Sequence, residues 1–180
     1  GSQDAEFMLG SGVNSIVNSV VLQPDGQIVI GGEFTAVNGV ITNRIARLNG
    51  VDGTLDTAFN PGSGADYRIT TMALLADGRL MIGGDFSAFN GVARKNIARL
   101  NSDGSLDAAF NPVGGAGGFV SALFVQSDGK VVYTGYDPGS PGSYVMRYKQ
   151  DGLRDWSFNV GSGQAGAAVF AVQPDGKLFL

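Results

Sequence analysis

Short runs of alternating apolar and polar residues recur along the chain, and turn residues separate them. The first such runs occupy residues 16–22, 28–30, 44–48 and 55–59. Period-two alternation is typical of a half-buried β-strand, and no segment keeps the period of an amphipathic helix. Asp-Gly between two such runs is a strong hairpin signal, since both residues accept the positive φ of a primed turn. The pattern therefore predicts four short antiparallel strands and no helix.

This four-strand pattern repeats at a nearly constant step. The Asp of the first Asp-Gly turn stands at Asp25, Asp77, Asp128 and Asp175, with steps of 52, 51 and 47 residues. Two further markers keep the same step, namely the Asp of the second turn and the Phe that closes the fourth run, which stands at Phe7, Phe59, Phe110 and Phe158. Repeated four-stranded units of this length are typical of propeller blades. The predicted fold class is all-β, with four-stranded β-propeller-type blades, about three and a half repeats and a partial ring.

The repeat divides the chain into segments of one propeller domain. We expect residues 1–2 to be a cloning remnant and residues 3–12 to be the last strand of a preceding blade. Three whole blades and the first half of a further blade follow, at residues 13–64, 65–115, 116–163 and 164–180.

Each blade has two apolar faces that neighbouring blades have to cover. Burial of one large apolar side chain contributes about 1.5–3 kcal/mol, so an uncovered face is a substantial loss. The expected core residues of the first two units are Val20, Leu22, Ile28, Ile30, Ile45, Leu48, Phe59, Met72, Leu74, Leu80, Ile82, Ile97, Leu100 and Phe110. We also expect the Gly31-Gly32 pair to let strands approach closely near the axis.

Recurring phrases of the first two units resemble a known family. Unit one contains QPDGQIVIGGEF, FTAVNGV, NRIARLN and DGTLDTAFNPG, and unit two repeats them as IGGDF, FSAFNGV and NIARLNSDGSLDAAFNP. These motifs are similar to those of the bacterial delta-60 repeat family, over nearly the whole chain, and the strand order resembles NHL-type propellers. The resemblance implies propeller-type repeats of a large exported protein, and with the absence of Cys it implies an extracellular or cell-surface location. Unit three departs from this pattern because it lacks the Asn-Gly-Val loop.

Composition narrows the chemistry that the chain can support. The 180 residues include no Cys and no His, which removes thiolate and imidazole ligands and the commonest catalytic base. The net charge is −4 and no stretch is basic, so nucleic acid is not an expected partner. No apolar run is long enough to span a bilayer, so no membrane insertion is expected. No cofactor is expected, since no Gly-rich phosphate loop precedes a helix.

The longer connections are the candidate binding region. Antiparallel order places both Asp-Gly turns of a blade on one face of the disc, and the connections at residues 33–43, 60–68, 85–96 and 111–118 on the other. Long loops on a rigid scaffold commonly bind ligands. The candidate contacts for a glycan or protein are Glu33, Phe34, Asn38, Tyr67, Asp85, Phe86, Phe89 and Asn90, with Asp137 and Tyr144 in unit three.

Other interpretations of the same residues stay open. The phenylalanines can pack between blades, the Asn-Gly pairs can simply form turns, and Tyr144 can belong to a packing surface. Glu33, Asp85 and Asp137 follow the second strand of successive units, so we expect them to ring one mouth of the channel as a structural or ion-attracting rim. NSDGSLD around Asp103 resembles part of a calcium loop, but other units do not keep its spacing, which favours a hairpin turn.

Together these features predict a non-enzymatic binding or structural module with a role in adhesion or in protein or glycan interaction. The alternative is a carbohydrate-active or calcium-assisted enzyme domain, since propellers host both kinds of function. The expected partner is a second copy of the chain, or the rest of its parent protein, that completes the ring. Two copies give about seven blades, which lies within the usual range for closure.

Overall fold

The structure, a computed structural model, describes Phe7, residues 10–136 and 143–158, and the backbone of residues 171–172 and 178–179. In this part of the chain all the regular secondary structure is β-strand, and the strands pair antiparallel. The predicted all-β class is therefore confirmed. The strands are, in chain order, β1 (Val17–Leu22), β2 (Ile28–Gly32), β3 (Ala36–Val37), β4 (Val40–Ile41), β5 (Ile45–Leu48), β6 (Ile69–Leu74), β7 (Leu80–Gly84), β8 (Ala88–Phe89), β9 (Val92–Ala93), β10 (Ile97–Leu100), β11 (Phe119–Val125), β12 (Val131–Tyr136), β13 (Ser143–Tyr148), β14 (Ala171–Val172) and β15 (Leu178–Phe179).

The strands form one three-stranded sheet for each of the three whole blades. The sheets are β1–β2–β5, β6–β7–β10 and β11–β12–β13, with the second strand in the middle of each. Strand β6 contacts both β1 and β11, so the first strands lie side by side as the inner strands of the blades. The hairpin β14–β15 forms where the first half of a further blade is predicted.

The fourth run of each unit forms an isolated bridge instead of a strand. Leu55 pairs with Leu48, and Leu106 pairs with Leu100 in the same way. Asp56 ends the pairing, because its carboxylate accepts a hydrogen bond from Ala58 N at 2.9 Å and so begins a turn. A blade is therefore three strands with a bridged segment at its outer edge.

The Asp-Gly turns form the predicted hairpins with a different backbone geometry. Gly26 has a φ of 85°, whereas Asp25 keeps a negative φ. Asp25 Oδ1 instead accepts a hydrogen bond from Gln27 N at 3.1 Å. The prediction of a primed turn is wrong here, because only the glycine enters the left-handed region while the aspartate stabilises the turn through its carboxylate.

The hydrophobic core lies between the blades, and most of the predicted core residues are in it. Fully or nearly fully buried are Ile30, Ile45, Leu48, Phe59, Met72, Leu80, Ile82, Ile97, Leu100 and Phe110. One cluster joins blade 1 to blade 2 through Val29, Ile45, Phe59, Met72, Leu80 and Ile82. A second joins blade 2 to blade 3 through Met81, Ile97, Phe110, Val120, Val131 and Tyr133. Each blade thus covers one face of the next.

The other face of blade 1 is only partly covered. Ile16, Val20 and Leu22 are 57%, 62% and 68% exposed. Met72 and Leu123 occupy the position of Val20 in the next two blades and are only 7% and 9% exposed. The prediction that Val20 and Leu22 lie in the core is therefore wrong. The physical reason is that no blade among the described residues covers this face.

Glycines occupy the positions where neighbouring blades come closest. A Cβ on Gly31 would lie 2.8 Å from Met72 Sδ, and one on Gly83 would lie 2.6 Å from Val120 Cγ1. These distances are shorter than any ordinary carbon contact, so only a hydrogen fits at either position. The prediction that the Gly-Gly pair permits a close approach is confirmed.

We expect the substitution Gly83→Ala to destabilise the protein by about 1–3 kcal/mol, because the added methyl group overpacks the contact between blades 2 and 3. Chemical denaturation monitored by circular dichroism measures the change. Ala93→Val adds carbon at an exposed position of β9, and we expect it to change stability by no more than about 0.5 kcal/mol. Equal effects of the two substitutions would contradict the close blade contact.

Candidate functional site

Polar side chains on the inner strands tie each blade to the next. Each inner strand has a one-residue register shift, which lies at Asn18 in β1 and at Thr70 in β6. Asn18 Nδ2 donates to Ile69 O of blade 2 at 2.9 Å, and Thr70 Oγ1 donates to Val120 O of blade 3. A bulge turns a side chain out of the regular alternation, and here it aims a donor at the neighbouring backbone. Both residues therefore join neighbouring blades, and we call the side chains that do so the frame of the propeller.

An arginine in the third strand forms a second link between blades. Arg99 Nε donates to Asp107 Oδ2 at 2.7 Å, and its guanidinium lies 5.0 Å from the centre of the Phe110 ring. Arg99 Nη1 donates to Gln150 O in blade 3 at 2.6 Å. Arg47 makes the same set of contacts one blade earlier. The Arg, Asp and Phe of this repeated cluster are thus structural.

Asp107 lies on the face of the propeller that carries the Asp-Gly turns, which we call the turn face, and two arginines and a turn amide bind its carboxylate. It is 8% exposed, and it accepts hydrogen bonds from Arg99, from Arg79 Nη1 at 2.8 Å and from Ala109 N at 2.9 Å. Burial alone would raise the pKa of Asp107, but these hydrogen bonds outweigh it and hold the pKa below its usual value. Asp107 is therefore ionised and paired at neutral pH.

The three phenylalanines predicted as possible ligand contacts lie inside the protein. Phe34, Phe86 and Phe89 are 0%, 1% and 0% exposed. Phe86 and Phe89 lie in the cluster between blades 1 and 2, whereas Phe34 lies in a cluster of blade 1 residues. Their burial removes them from the candidate ligand contacts, because no ligand can reach them without opening the core. For Phe86 and Phe89 the structure corresponds to the alternative interpretation, in which the phenylalanines pack between blades.

The two candidate asparagines close short hairpins. Asn38-Gly39 connects β3 to β4 and Asn90-Gly91 connects β8 to β9, and all four φ angles are positive, from 47° to 78°. A primed two-residue turn requires this geometry. Asn38 Oδ1 also accepts a hydrogen bond from Gly12 N at 2.9 Å, and Asn90 Oδ1 accepts one from Ser63 N at 3.1 Å. Both side chains are used to hold the hairpins in place.

The acidic rim is interrupted by a cation that the sequence prediction did not include. Arg68 lies between Glu33 of blade 1 and Asp85 of blade 2, at 3.9 Å and 3.3 Å. Glu33 and Asp85 are thus brought together as predicted, but as partners of one guanidinium. Asp137 lies outside the described residues. A signal for Arg68 is in the sequence, because the repeat places Ile16 and Phe119 at the equivalent positions.

The two candidate tyrosines have different surroundings. Tyr67 is 52% exposed, and the Arg68 guanidinium lies 5.7 Å from its ring centre. Tyr144 is half-buried, packs edge-on against Tyr133 and donates from its hydroxyl to Gly118 O at 2.9 Å. Tyr67 remains available to a ligand, whereas Tyr144 mainly supports the core of blade 3.

The calcium-like segment has the geometry of a hairpin turn. Asp103 Oδ1 accepts hydrogen bonds from Ser105 N at 2.9 Å and Ser105 Oγ at 2.6 Å, which lower the pKa of its carboxyl. Asn101 Nδ2 donates to Ser105 Oγ at 2.9 Å. In the described part of the chain, no group of three or more acidic side chains is placed to hold a metal ion.

A family comparison identifies the repeat. The model described as "Domain of unknown function (DUF5122) beta-propeller" matches residues 23–59, 75–110 and 126–158, which together are more than half of the chain. The chain belongs to this family. Each of the three matches begins directly after the first strand of one DUF5122 blade and ends at its closing Phe, and together they support the propeller-type repeat. No curated protein matches the chain.

The turn face of this DUF5122 propeller has a cavity of about 620 Å³ between blades 2 and 3. Its charged wall is formed largely by Arg79, which bonds Asp77 and Asp107, and by Asp128, whose Oδ2 accepts from Lys130 Nζ at 2.7 Å. These pairs satisfy the charges internally. Among the described residues, no helix is long and apolar enough to cross a membrane.

We expect Asp107→Asn to lower the free energy of unfolding by about 2–4 kcal/mol, because the buried Arg99 loses its charged partner and Arg79 loses one of its two. Urea denaturation at neutral pH measures the loss. Asp25→Asn is the matched control, since within the described part of the chain Asp25 makes only an exposed turn bond to Gln27 N and an amide oxygen can replace it. A loss as large for Asp25→Asn as for Asp107→Asn would contradict the role assigned to the Asp107 cluster.

Acid should weaken the same cluster. A carboxyl whose pKa is lower in the folded than in the unfolded protein stabilises the fold above its unfolded pKa, about 3.9, and loses this contribution as the pH falls through its folded pKa. The pKa values of Asp77, Asp103, Asp107 and Asp128 are all lowered. We therefore expect stability to decrease below about pH 4 and the difference between the native sequence and Asp107→Asn to shrink. Urea denaturation from neutral to acidic pH tests this, and a constant difference would contradict it.

Proposed function

We propose that this chain is a non-enzymatic binding and structural β-propeller module of a larger exported or cell-surface protein, acting in adhesion or in protein or glycan interaction. The resemblance to delta-60 repeats supports the surface location. One structural observation supports the interaction role. Ile16, Val20 and Leu22 of blade 1 are exposed, whereas Met72 and Leu123, which occupy the position of Val20 in blades 2 and 3, are buried.

The hydrogen bonds of the frame residues favour a structural role for these residues over a catalytic role. Each described aspartate accepts at least one hydrogen bond, from a turn amide, a hydroxyl or a cationic side chain, as Asp56, Asp66 and Asp151 illustrate. Repeat-equivalent residues make the same bonds in successive blades, which fits a structural task. The enzyme alternative gains no support from these carboxylates, because their oxygens are already engaged.

A second copy of the chain is the occupant we propose for the uncovered face of blade 1. A contact of the kind that this face needs occurs twice within the chain, where Ile69 packs on Gly31 and the equivalent Val120 packs on Gly83. A blade of the same kind therefore has the required shape, and a second copy supplies such blades. Contiguous apolar surface of this kind is typical of a protein interface, and the contact would remove Val20 and Leu22 from water.

We expect the intact chain to form a dimer in multi-angle light scattering and the double substitution Val20→Asp, Leu22→Asp to convert it into a folded monomer. Two carboxylates in an apolar contact carry a large desolvation cost, while in the single copy these positions are exposed and tolerate charge. The matched control is Val40→Asp with Ile41→Asp, since these residues are 51% and 82% exposed on the outer hairpin. A monomeric native sequence, or a double variant that still dimerises, would refute the proposed partner.

A further inference from the structure

Blade 3 departs from the repeat at its outer edge, beside the Arg, Asp and Phe cluster that recurs in each blade. Asp155 and Phe158 occupy the same positions as Asp107 and Phe110 of blade 2, and Arg147 binds Asp155 as Arg99 binds Asp107. Between these frame residues, however, Leu153, Arg154 and Trp156 stand where blade 2 has Ser105, Leu106 and Ala108. Two small residues and one leucine are thus replaced by large side chains and a cation.

The replaced side chains form an exposed apolar surface. Trp156 is 77% exposed, Leu153 is 54% exposed, and Val113 of the preceding connection is 90% exposed. They surround a cavity of about 340 Å³, to which Met146 and Tyr148 also contribute. This volume lies at the lower end of the range of small-ligand sites, about 300–1,000 Å³. A tryptophan that is mostly exposed buries little apolar surface on folding, so most of the Trp156 side chain is accessible to a ligand.

Arg154 gives this surface a charge that the described residues do not neutralise. Its guanidinium lies 3.9 Å from the centre of the Trp156 ring. In the four other Arg–aromatic pairs that the structure describes, the arginine also binds an aspartate, as Arg147 and Arg68 do. No acidic side chain of the described residues lies within ion-pair distance of Arg154. Its planar fork of N–H donors is therefore suited to a carboxylate from a ligand.

Glycines open the opposite wall of the cavity. Gly114 and Gly117 have φ angles of 79° and 85°, and no atom lies within 4 Å of the place where a Cβ would be. The wall is held by Tyr148, whose hydroxyl donates to Gly115 O at 2.5 Å. Without side chains at Gly114 and Gly117, a ligand can approach the backbone, whose peptide groups are hydrogen-bonding partners for hydroxyl groups.

We propose that this cavity binds an acidic saccharide, with a sugar ring against Trp156 and its carboxylate on Arg154. The electron-rich face of an indole attracts the weakly positive C–H groups of a pyranose ring, and the glycine wall offers peptide groups to the ring hydroxyls. An open site that combines one aromatic plane, one cation and bare backbone fits such a ring better than a peptide side chain, which needs a deeper apolar pocket. This inference does not depend on dimer formation.

Trp156 is the only tryptophan of the chain, so its fluorescence reports this site alone. We expect oligogalacturonate to change the emission of the intact protein in a saturable way, and its neutral methyl ester to bind about tenfold more weakly or not at all. Arg154→Leu should cause a similar loss for the acidic sugar. Trp156→Ala, followed by calorimetry, should abolish binding. Both variants restore the blade 2 residues Leu106 and Ala108, so they preserve the fold, which circular dichroism checks.

Tyr67→Ala is the matched control, since Tyr67 is also an exposed aromatic residue beside an arginine, but Arg68 is already paired with Asp85. We expect it to leave saccharide binding unchanged. Equal binding of the ester and the acid, undiminished binding by folded Arg154→Leu, or no binding of either sugar would overturn the assignment. Binding of a peptide with a free carboxylate in place of the sugar would overturn it as well.

Discussion

The close approach of neighbouring blades at Gly31 and Gly83 is the constraint on which the rest of the structure depends. Met72 and Val120 occupy the space that a Cβ would take, which brings the inner strands near enough for Asn18 and Thr70 to reach the next backbone. The apolar clusters between blades then exclude water. Packing in protein interiors leaves few voids, so these contacts define how one blade sits on the next.

At the outer edge, charged side chains hold neighbouring blades together, whereas apolar side chains do so near the inner strands. Arg47 and Arg99 each bind an aspartate of their own blade, lie over a phenylalanine and donate to a carbonyl of the following blade. One side chain thus links the strand, the bridged segment and the neighbouring unit. Bonds to charged groups are stronger than neutral ones, which explains why a short bridged segment suffices where a full fourth strand is absent.

Membership of the frame distinguishes the residues that stabilise the fold from the residues that are available to bind a ligand. Asn38, Asn90 and the buried phenylalanines of the connections serve the frame, although their residue types also fit a ligand-binding loop. The departures from the repeat carry more functional information. Arg68 and the Arg154–Trp156 pair stand at positions where the other blades have different residues, so the frame does not require them there.

The sequence by itself determined the repeat, the antiparallel hairpins, the glycine contacts and most of the core, because strand alternation and turn chemistry are local properties with a regular period. It did not determine the exposure of Val20 and Leu22, the buried state of Phe34 and Phe86, or the place of Arg68 between Glu33 and Asp85. Only the tertiary structure decided these features. Whether an apolar side chain is covered, or a charge is paired, depends on which blade lies beside it, and residues about fifty positions apart in sequence make that contact.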